Sequence, residues 1–363
     1  MHLLRFVPLL GVLALACSAP DSDAVSDDEA LSKNPTAYLG PYKSPSIVRD
    51  GDTFHAYFAK TTLSINGTSR TFNVPHAAFD ATATWTRPHE ALPKLGKGAE
   101  PNGVVWAPAV GQIGPNHWML YYTATLAGHG EKKCIWRAHA TSADGPFVDD
   151  YDGPLVCPPD SLWALDAYVL EDMQGRWVLG MRWDVGDGIN TIRIRQLNDR
   201  GTHFEPGSDY MELTRNHQGS WDQHVMENAG IVRLAPPNDG PGHWYVFYSA
   251  RHWDDDSYAI GVADCGTTLL DASRGECKKL TPTRGWMRTT PSENLFGPGT
   301  PTFYGDGAGN KLMSIQAWRF SGGVAEGSPH REENRKQGQI MRTYTIGIDN
   351  DYQPRAKLLR IDM

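Results

Sequence analysis

Residues 224–265 read HVMENAGIVRLAPPNDGPGHWYVFYSARHWDDDSYAIGVADC. The punctuation divides this stretch into three strand candidates. A short apolar run opened by Glu227 ends in a Gly/Pro/Asn turn, the aromatic run HWYVFYSA follows, and a charged turn leads into SYAIGVAD. A lone carboxylate at the head of an apolar strand is costly unless something pairs with it or uses it.

Outward from this stretch the pattern recurs. A turn followed by an aromatic-rich strand begins at Gly51 (GDTFHAYFA), Pro115 (PNHWMLYYTA), Gln174 (QGRWVLGMRW), Pro241 (PGHWYVFYSA) and Gly309 (GNKLMSIQAW). These starts lie on the order of 60 to 65 residues apart, about one four-stranded propeller blade. Each is preceded by a short apolar strand (SPSIVRD, WAPAVGQI, LDAYVLED, ENAGIVRL, TPTFYGD) and followed by a third, such as CIWRAHATS or NTIRIRQLN. No sustained 3.6-residue apolar stripe interrupts them. The pattern predicts an all-β chain closed as a five-bladed β-propeller; a sandwich of irregular strands is the alternative.

Length, charge and cysteines bound the rest. The 363 residues suffice for one large all-β domain or two smaller ones, and the formal net charge of −8 without a basic run excludes a nucleic-acid partner. Residues 1–17 read as an export signal, too short to span a membrane with these flanks. Leu13-Ala14-Leu15-Ala16-Cys17 resembles a lipoprotein box in which Cys17 is lipidated, the one expected membrane contact; ordinary cleavage near Ala19 is the alternative. Residues 18–37 are polar and acidic, a flexible tether, and the propeller is expected over 38–363. The expected location is outside the cytoplasm, on the outer surface or secreted.

Cys134, Cys157, Cys265 and Cys277 form an even set, and pairing Cys134 with Cys157 and Cys265 with Cys277 keeps each bridge within one local unit. A metal site is the rival reading, without CxxC or histidine spacing to support it. No HExxH occurs among the thirteen histidines, so no catalytic metal is expected.

In a propeller the first residues of the inner strands converge at one mouth of the channel. Aligned on the turn that follows, these heads are Ser44, the stretch from Trp106 to Ala109, Asp166, Glu227 and Thr300. Asp166 and Glu227 are the carboxylates among them. Two acids facing each other in a recess push their pKa values apart, and the one that keeps its proton can protonate a leaving oxygen, as glycoside hydrolysis requires. Trp106, Trp163, Trp183, Trp221, Trp253 and Trp318 crowd the same segments. Most are expected to pack between blades, and Trp106, Trp253 and Trp318 are assigned to substrate, since a sugar ring offers an apolar face to an aromatic wall.

Taken together, SPSIVRDGDTFHAYF, VVWAPAVGQI, LDAYVLEDMQGRWVLG, MENAGIVRL with WYVFYSA and DDDSYAIGVA, and NLFGPGTPTFY resemble the successive blades of glycoside hydrolase family 43. The likeness spans residues 38 to 350. It implies arabinofuranosidase, β-xylosidase or arabinanase chemistry with inversion, an oligosaccharide or polysaccharide partner, and a monomer. It assigns the general acid to Glu227, the acid-orienting carboxylate to Asp166 and a substrate contact to Arg319. The family's general base is the Asp of a DP pair in the first blade, and this chain has Ser44-Pro45 there. The family's GPGH, whose His helps hold a central ion or water, here reads Gly297-Pro298-Gly299-Thr300. No cofactor is expected beyond a structural Ca2+ in the channel.

Three readings follow: a hydrolase with another base or a substrate that supplies one, a sugar-binding propeller that has lost hydrolysis, and a scaffold for protein contacts. Asp50 and Asp52 fall in the turn at the far end of their strand. Asp254, Asp255 and Asp256 read as a solvated tip or a calcium site, His224 as a residue behind Glu227, and Asn66-Gly67-Thr68 as a glycosylation sequon.

Overall fold

The computed structural model describes residues 42–273, 275–318 and 338–362. The leader, Cys17, the tether and Arg319 lie outside the described residues. Five antiparallel sheets follow one another along the chain, each starting with its innermost strand. Blade 1 is β1 (Ser46–Asp50), β2 (Thr53–Tyr57), β5 (Pro75–Phe79) and β6 (His89–Glu90), with the hairpin β3 (Thr61–Ile65) and β4 (Thr68–Phe72) inserted. Blade 2 is β7 (Val105–Gly114), β8 (His117–Thr125) and β9 (Lys133–Ala140); single bridges from Ile135 to Val156 and from His139 to Val148 fill its outer place. Blade 3 is β10 (Ala164–Glu171), β11 (Trp177–Gly186), β12 (Ile189–Gln196) and β13 (Met211–Arg215). Blade 4 is β14 (Met226–Leu234), β15 (His243–Ala250), β16 (Ala259–Asp264) and β17 (Lys278–Lys279). Blade 5 is β18 (Phe296–Gly305), β19 (Lys311–Trp318), β20 (Gln339–Ile348) and β21 (Pro354–Asp362).

The inner strands close a ring: β1 touches β7 and β18, β7 touches β10, β10 touches β14, and β14 touches β18. The five recurring aromatic segments are β2, β8, β11, β15 and β19, each second in its blade. Side chains alternate faces along a strand, and both faces of a blade are covered by neighbours, so these strands are mostly apolar on both faces, with a few buried polar residues such as His55, Thr123, Arg182, Ser249 and Gln316 among them. In β8, Trp118, Leu120 and Tyr122 pack towards blade 1 while Met119 and Tyr121 pack towards blade 3. In β15, Trp244, Val246 and Tyr248 face blade 3 while Tyr245 and Phe247 face blade 5. The ring is sealed by Tyr304, Leu312 and Met341 of blade 5 packed on Ile47, Phe54 and Phe79 of blade 1.

Both disulfides form as expected, Cys134 with Cys157 and Cys265 with Cys277. Each ties an outer segment to the third strand of its blade, where the sheet edge is least supported. The Asn66-Gly67 pair is the tight turn of the β3–β4 hairpin, both residues at positive φ (54° and 74°). No helix among the described residues is long and apolar enough to cross a membrane.

Candidate active site

Near the head of each inner strand one side-chain-bearing residue lies in the left-handed region: Ser44 (φ 45°), Ala107 (φ 40°), Asp166 (φ 57°), Asn228 (φ 46°) and Thr300 (φ 52°). None is glycine, and each costs on the order of 1–3 kcal/mol that the surrounding ring must offset. In blades 2 to 5 the pairing with the second strand slips at this point, between Trp106 and Ala109, Leu165 and Tyr168, Glu227 and Gly230, and Gly299 and Thr302. The five residues converge as the repeat predicts, with one correction. The equivalent of Asp166 in blade 4 is Asn228, and Glu227 precedes it, level with Trp106, Leu165 and Gly299. The bulge adds a residue that alternation cannot register.

These residues, with the two that follow each of them (one in the case of Asn228), line an axial cavity of about 30 Å3. That is room for one or two waters. Among the described residues lining it, Asp166 is the one acid.

Three of the five backbone N–H groups of the ring share one pattern, and Asn228, beside Glu227, departs from it. Asp166 N–H donates to Thr123 Oγ1 (3.1 Å), Thr300 N–H to Ser249 Oγ (2.8 Å) and Ser44 N–H to Gln316 Oε1 (3.0 Å). Each acceptor sits on the second strand of the preceding blade. In blade 3 that place, opposite Leu165, belongs to Arg182. A guanidinium has no acceptor atom. The Asn228 N–H therefore goes to Asp166 Oδ2 instead (3.0 Å), and Arg182 Nη1 is left to bind Glu227 Oε2 at 2.8 Å. One substitution in the frame thus fixes both carboxylates.

Arg182 is held from behind by Asp184, with Nε to Oδ1 at 2.8 Å and Nη2 to Oδ2 at 3.0 Å, and its guanidinium lies 5.3 Å from the Trp163 ring centre. Tyr258, fully buried, donates its hydroxyl to Glu227 Oε1 at 2.9 Å. Burial drives the Tyr258 pKa well up, with the Glu227 charge adding to it, so the phenol stays a donor. Burial, followed by the neighbouring Glu227 carboxylate, pushes the Asp166 pKa up to about 8. Burial also raises Glu227, opposed by the Arg182 guanidinium and the Tyr258 hydroxyl. The two titrate as a pair that keeps one proton at neutral pH. Asp166 is the side without a cation in contact.

Ser44 is half-buried and lines the cavity, and Thr300 is buried beside it with its Oγ1 lacking a protein partner. Asp50 and Asp52 lie at the other end of β1, as expected, where Asp52 pairs with Arg49 at 3.3 Å. Trp106 is half-buried on the mouth side, with Lys133 Nζ 5.5 Å from its ring. Trp253 is 45% exposed, but Trp318 is 1% exposed. The expectation that Trp318 presents a face to substrate is therefore corrected: it supports Trp253 from beneath, with ring centres 6.0 Å apart and its indole N–H on the Trp253 carbonyl at 3.0 Å. Asp254, Asp255 and Asp256 are buried rather than a solvated tip, and Asp255 caps its own turn through Ser257 N–H at 2.7 Å. His224 is exposed and bonds Gln223 instead of backing Glu227. A Ca2+ in the channel does not suit the donor set: calcium takes six to eight oxygens with several charged carboxylates, whereas the cavity offers one carboxyl that holds a proton.

Sequence reasoning missed Arg182, Tyr258 and Asn228. The signal for Arg182 was available, since an arginine inside QGRWVLGMRW must be paired if that strand is buried. Tyr258 reads as one more aromatic, and Asn228 becomes visible only once the bulge is known.

The sequence profile of the glycosyl hydrolases family 43 matches residues 33–336. No curated protein matches at the sequence level. Among solved structures, an endo-1,4-β-xylanase from Bacteroides thetaiotaomicron superposes with a TM-score of 0.66 at 18% identity, over 89% of this chain and 96% of its own. An α-L-arabinanase from Cellvibrio cellulosa in complex with arabinohexaose gives a TM-score of 0.60 at 15% identity, over 88% and 96%. An exo-1,5-α-L-arabinanase from a bovine ruminal metagenomic library gives 0.60 at 15%, over 87% and 97%.

Proposed function

The chain belongs to family 43 of the glycosyl hydrolases, and from that premise we propose that it cleaves arabinosyl or xylosyl linkages in plant-type polysaccharide or its oligosaccharides. The observation that supports this reading is the one-proton pair at the mouth, Asp166 bonded to the backbone beside Glu227 and Glu227 aimed by Tyr258 and Arg182. Such a pair can protonate a glycosidic oxygen as the bond breaks, with Glu227 as the donor once the proton held on Asp166 has passed to it, and Asp166 as the residue that supplies that proton and orients Glu227. The relatives named above are a xylanase and two arabinanases, which directs the reading to pentosides.

The other half of an inverting reaction is a base that takes the proton of the attacking water, about 6.5–9.5 Å from the acid. The resemblance puts that base where this chain has Ser44, and a hydroxyl cannot accept that proton at neutral pH. We assign the proton to a group of the substrate or to bulk water, so turnover is slow. The test is a panel of aryl arabinofuranosides, xylosides and the corresponding oligosaccharides. Measurable release that Glu227→Gln abolishes, and that declines above pH 8 as the pair loses its proton, supports the reading. Release unaffected by Glu227→Gln sinks it.

One observation favours a second reading. The Arg182–Glu227 ion pair holds Glu227 as a carboxylate in the free protein, which suits a surface propeller that binds sugar without turnover. Calorimetric binding of arabino- or xylo-oligosaccharide with no release on the panel decides for it. Both readings place the protein outside the cytoplasm, where the two disulfides persist, with the leader and Cys17 as the means of export and anchoring.

A further inference from the structure

On the side of blade 1 that faces blade 2, three adjacent strands each present one histidine: His55 on β2, His76 on β5 and His89 on β6. His76 lies opposite His89 in the sheet, and His55 is one side-chain step away on the same face. The loop after β9 lays Asp144 across them. His55 Nδ1 is 3.0 Å from His76 Nε2 and 3.5 Å from Asp144 Oδ1, and His76 Nδ1 is 3.2 Å from His89 Nε2. His89 Nε2 in turn lies 3.1 Å from the Asp144 carbonyl oxygen. His55 and His76 are 5% and 0% exposed.

Neutral imidazoles cannot satisfy all of these contacts. If His76 Nε2–H donates to His55 Nδ1, the His55 lone pair faces the Asp144 carboxylate. If His55 Nδ1–H donates instead, His76 must donate to His89, and His89 then faces the Asp144 carbonyl as a second acceptor. Either tautomer leaves two acceptors in contact beside buried rings, and such groups are costly without a partner.

We propose that His55 Nδ1, His76 Nε2 and Asp144 Oδ1 form a zinc-class metal site that staples blade 1 to the 141–147 loop of blade 2, apart from the glycosidase mouth. One ligand atom from each lies within 4.8 Å of the others. Tetrahedral Zn–N bonds of 2.0–2.1 Å imply ligand separations of about 3.3 Å, so the 3.0 and 3.5 Å separations from His55 Nδ1 need little adjustment, and the third, within 4.8 Å, can be closed by the exposed Asp144 side chain. The ion converts the conflict at His55 into coordinate bonds. His76 Nδ1–H then donates to His89 Nε2, the outer contact that orients a ligating imidazole, and the exposed His89 ring has only to turn from the Asp144 carbonyl. Two nitrogens and one carboxylate exclude Ca2+ and Mg2+, which prefer all-oxygen sets. The Asp144 side chain is 61% exposed, so water can complete the fourth position. Sequence spacing hides the set, because the ligands are separated by 21 residues and a blade boundary.

The test uses the tag-free chain, dialysed against EDTA and titrated with Zn2+ by calorimetry at pH 7.5, with Co2+ substitution read by its visible absorption. The proposal expects one Zn2+ per chain, a tetrahedral Co2+ spectrum, and a melting temperature raised by several degrees with Zn2+ but not with Ca2+. Asp144→Ala, a surface change that leaves the core intact, should weaken Zn2+ binding by about 10-fold or more. His55→Asn should abolish it, while His129→Ala, an exposed histidine elsewhere, should leave it unchanged. No Zn2+ uptake by the folded wild-type chain overturns the proposal, as does uptake that Asp144→Ala and His55→Asn leave unaltered.

Discussion

Replacing Asp166 by asparagine tests the electrostatics of the mouth through folding alone. Asp166 keeps its proton up to about pH 8 in the folded chain, against an ordinary value of 3.8. Between those limits the folded state binds one more proton than the unfolded state, so stability falls as pH rises. The slope is about 1.4 kcal/mol per pH unit. From pH 4.5 to 7.5 the wild type should lose about 4 kcal/mol through this residue, an upper figure because Glu227 shares the titration. Asparagine can still accept the Asn228 N–H and has no proton to lose. Urea unfolding of both proteins at pH 4.5, 6.0 and 7.5 should show the Asp166→Asn variant gaining steadily on the wild type as pH rises. Parallel curves, with a difference constant to within about 1 kcal/mol, would refute a proton held on this pair.

Arg182→Met leaves Glu227 without its cation; it should cost about 3–5 kcal/mol at pH 8 and much less near pH 4, where Glu227 can take up a proton, as measured by urea unfolding at the two pH values. Gly299→Ala would place a Cβ 1.9 Å from Tyr258 Cε1. The ring must move off Glu227, so a loss of about 1–3 kcal/mol should come with reduced pentoside hydrolysis. Joint replacement of Cys265 and Cys277 by serine opens a loop of sequence separation 12 and should lower stability by about 2–4 kcal/mol in chemical denaturation.

The blade frame was legible because it rests on a local, repeated signal. An apolar strand, a turn and an aromatic strand buried on both faces recur in each blade, and β1, β7, β10, β14 and β18 fall where that signal puts them. Asp166 and Glu227 could be read for the same reason, each being a carboxylate on an apolar strand. The one-residue offset between Glu227 and Asn228 could not, because a bulge changes the register without changing composition. The Arg182 contact joins positions 45 apart in different blades, and the histidine set joins three strands and a loop. Neither leaves a spacing to recognise. Trp318 was misplaced because aromatic character marks burial or binding equally well, and only the packing of Trp253 over it decides. The β3–β4 hairpin was within reach: its Asn-Gly turn stood in view as part of a sequon.

The central claim is that the mouth retains its proton donor and lacks its base at Ser44. Ser44 already holds the left-handed conformation that Asp166 adopts two blades away, and aspartate tolerates it better than most residues, so Ser44→Asp can restore a carboxylate without rebuilding the backbone. The measurement is kcat/KM on an aryl arabinofuranoside or xyloside for wild type, Ser44→Asp, and Ser44→Asp with Glu227→Gln. A gain of about 10²–10⁴ in the single variant, erased in the double variant, is the predicted result. A folded Ser44→Asp protein no faster than wild type, or a gain that survives Glu227→Gln, would contradict it.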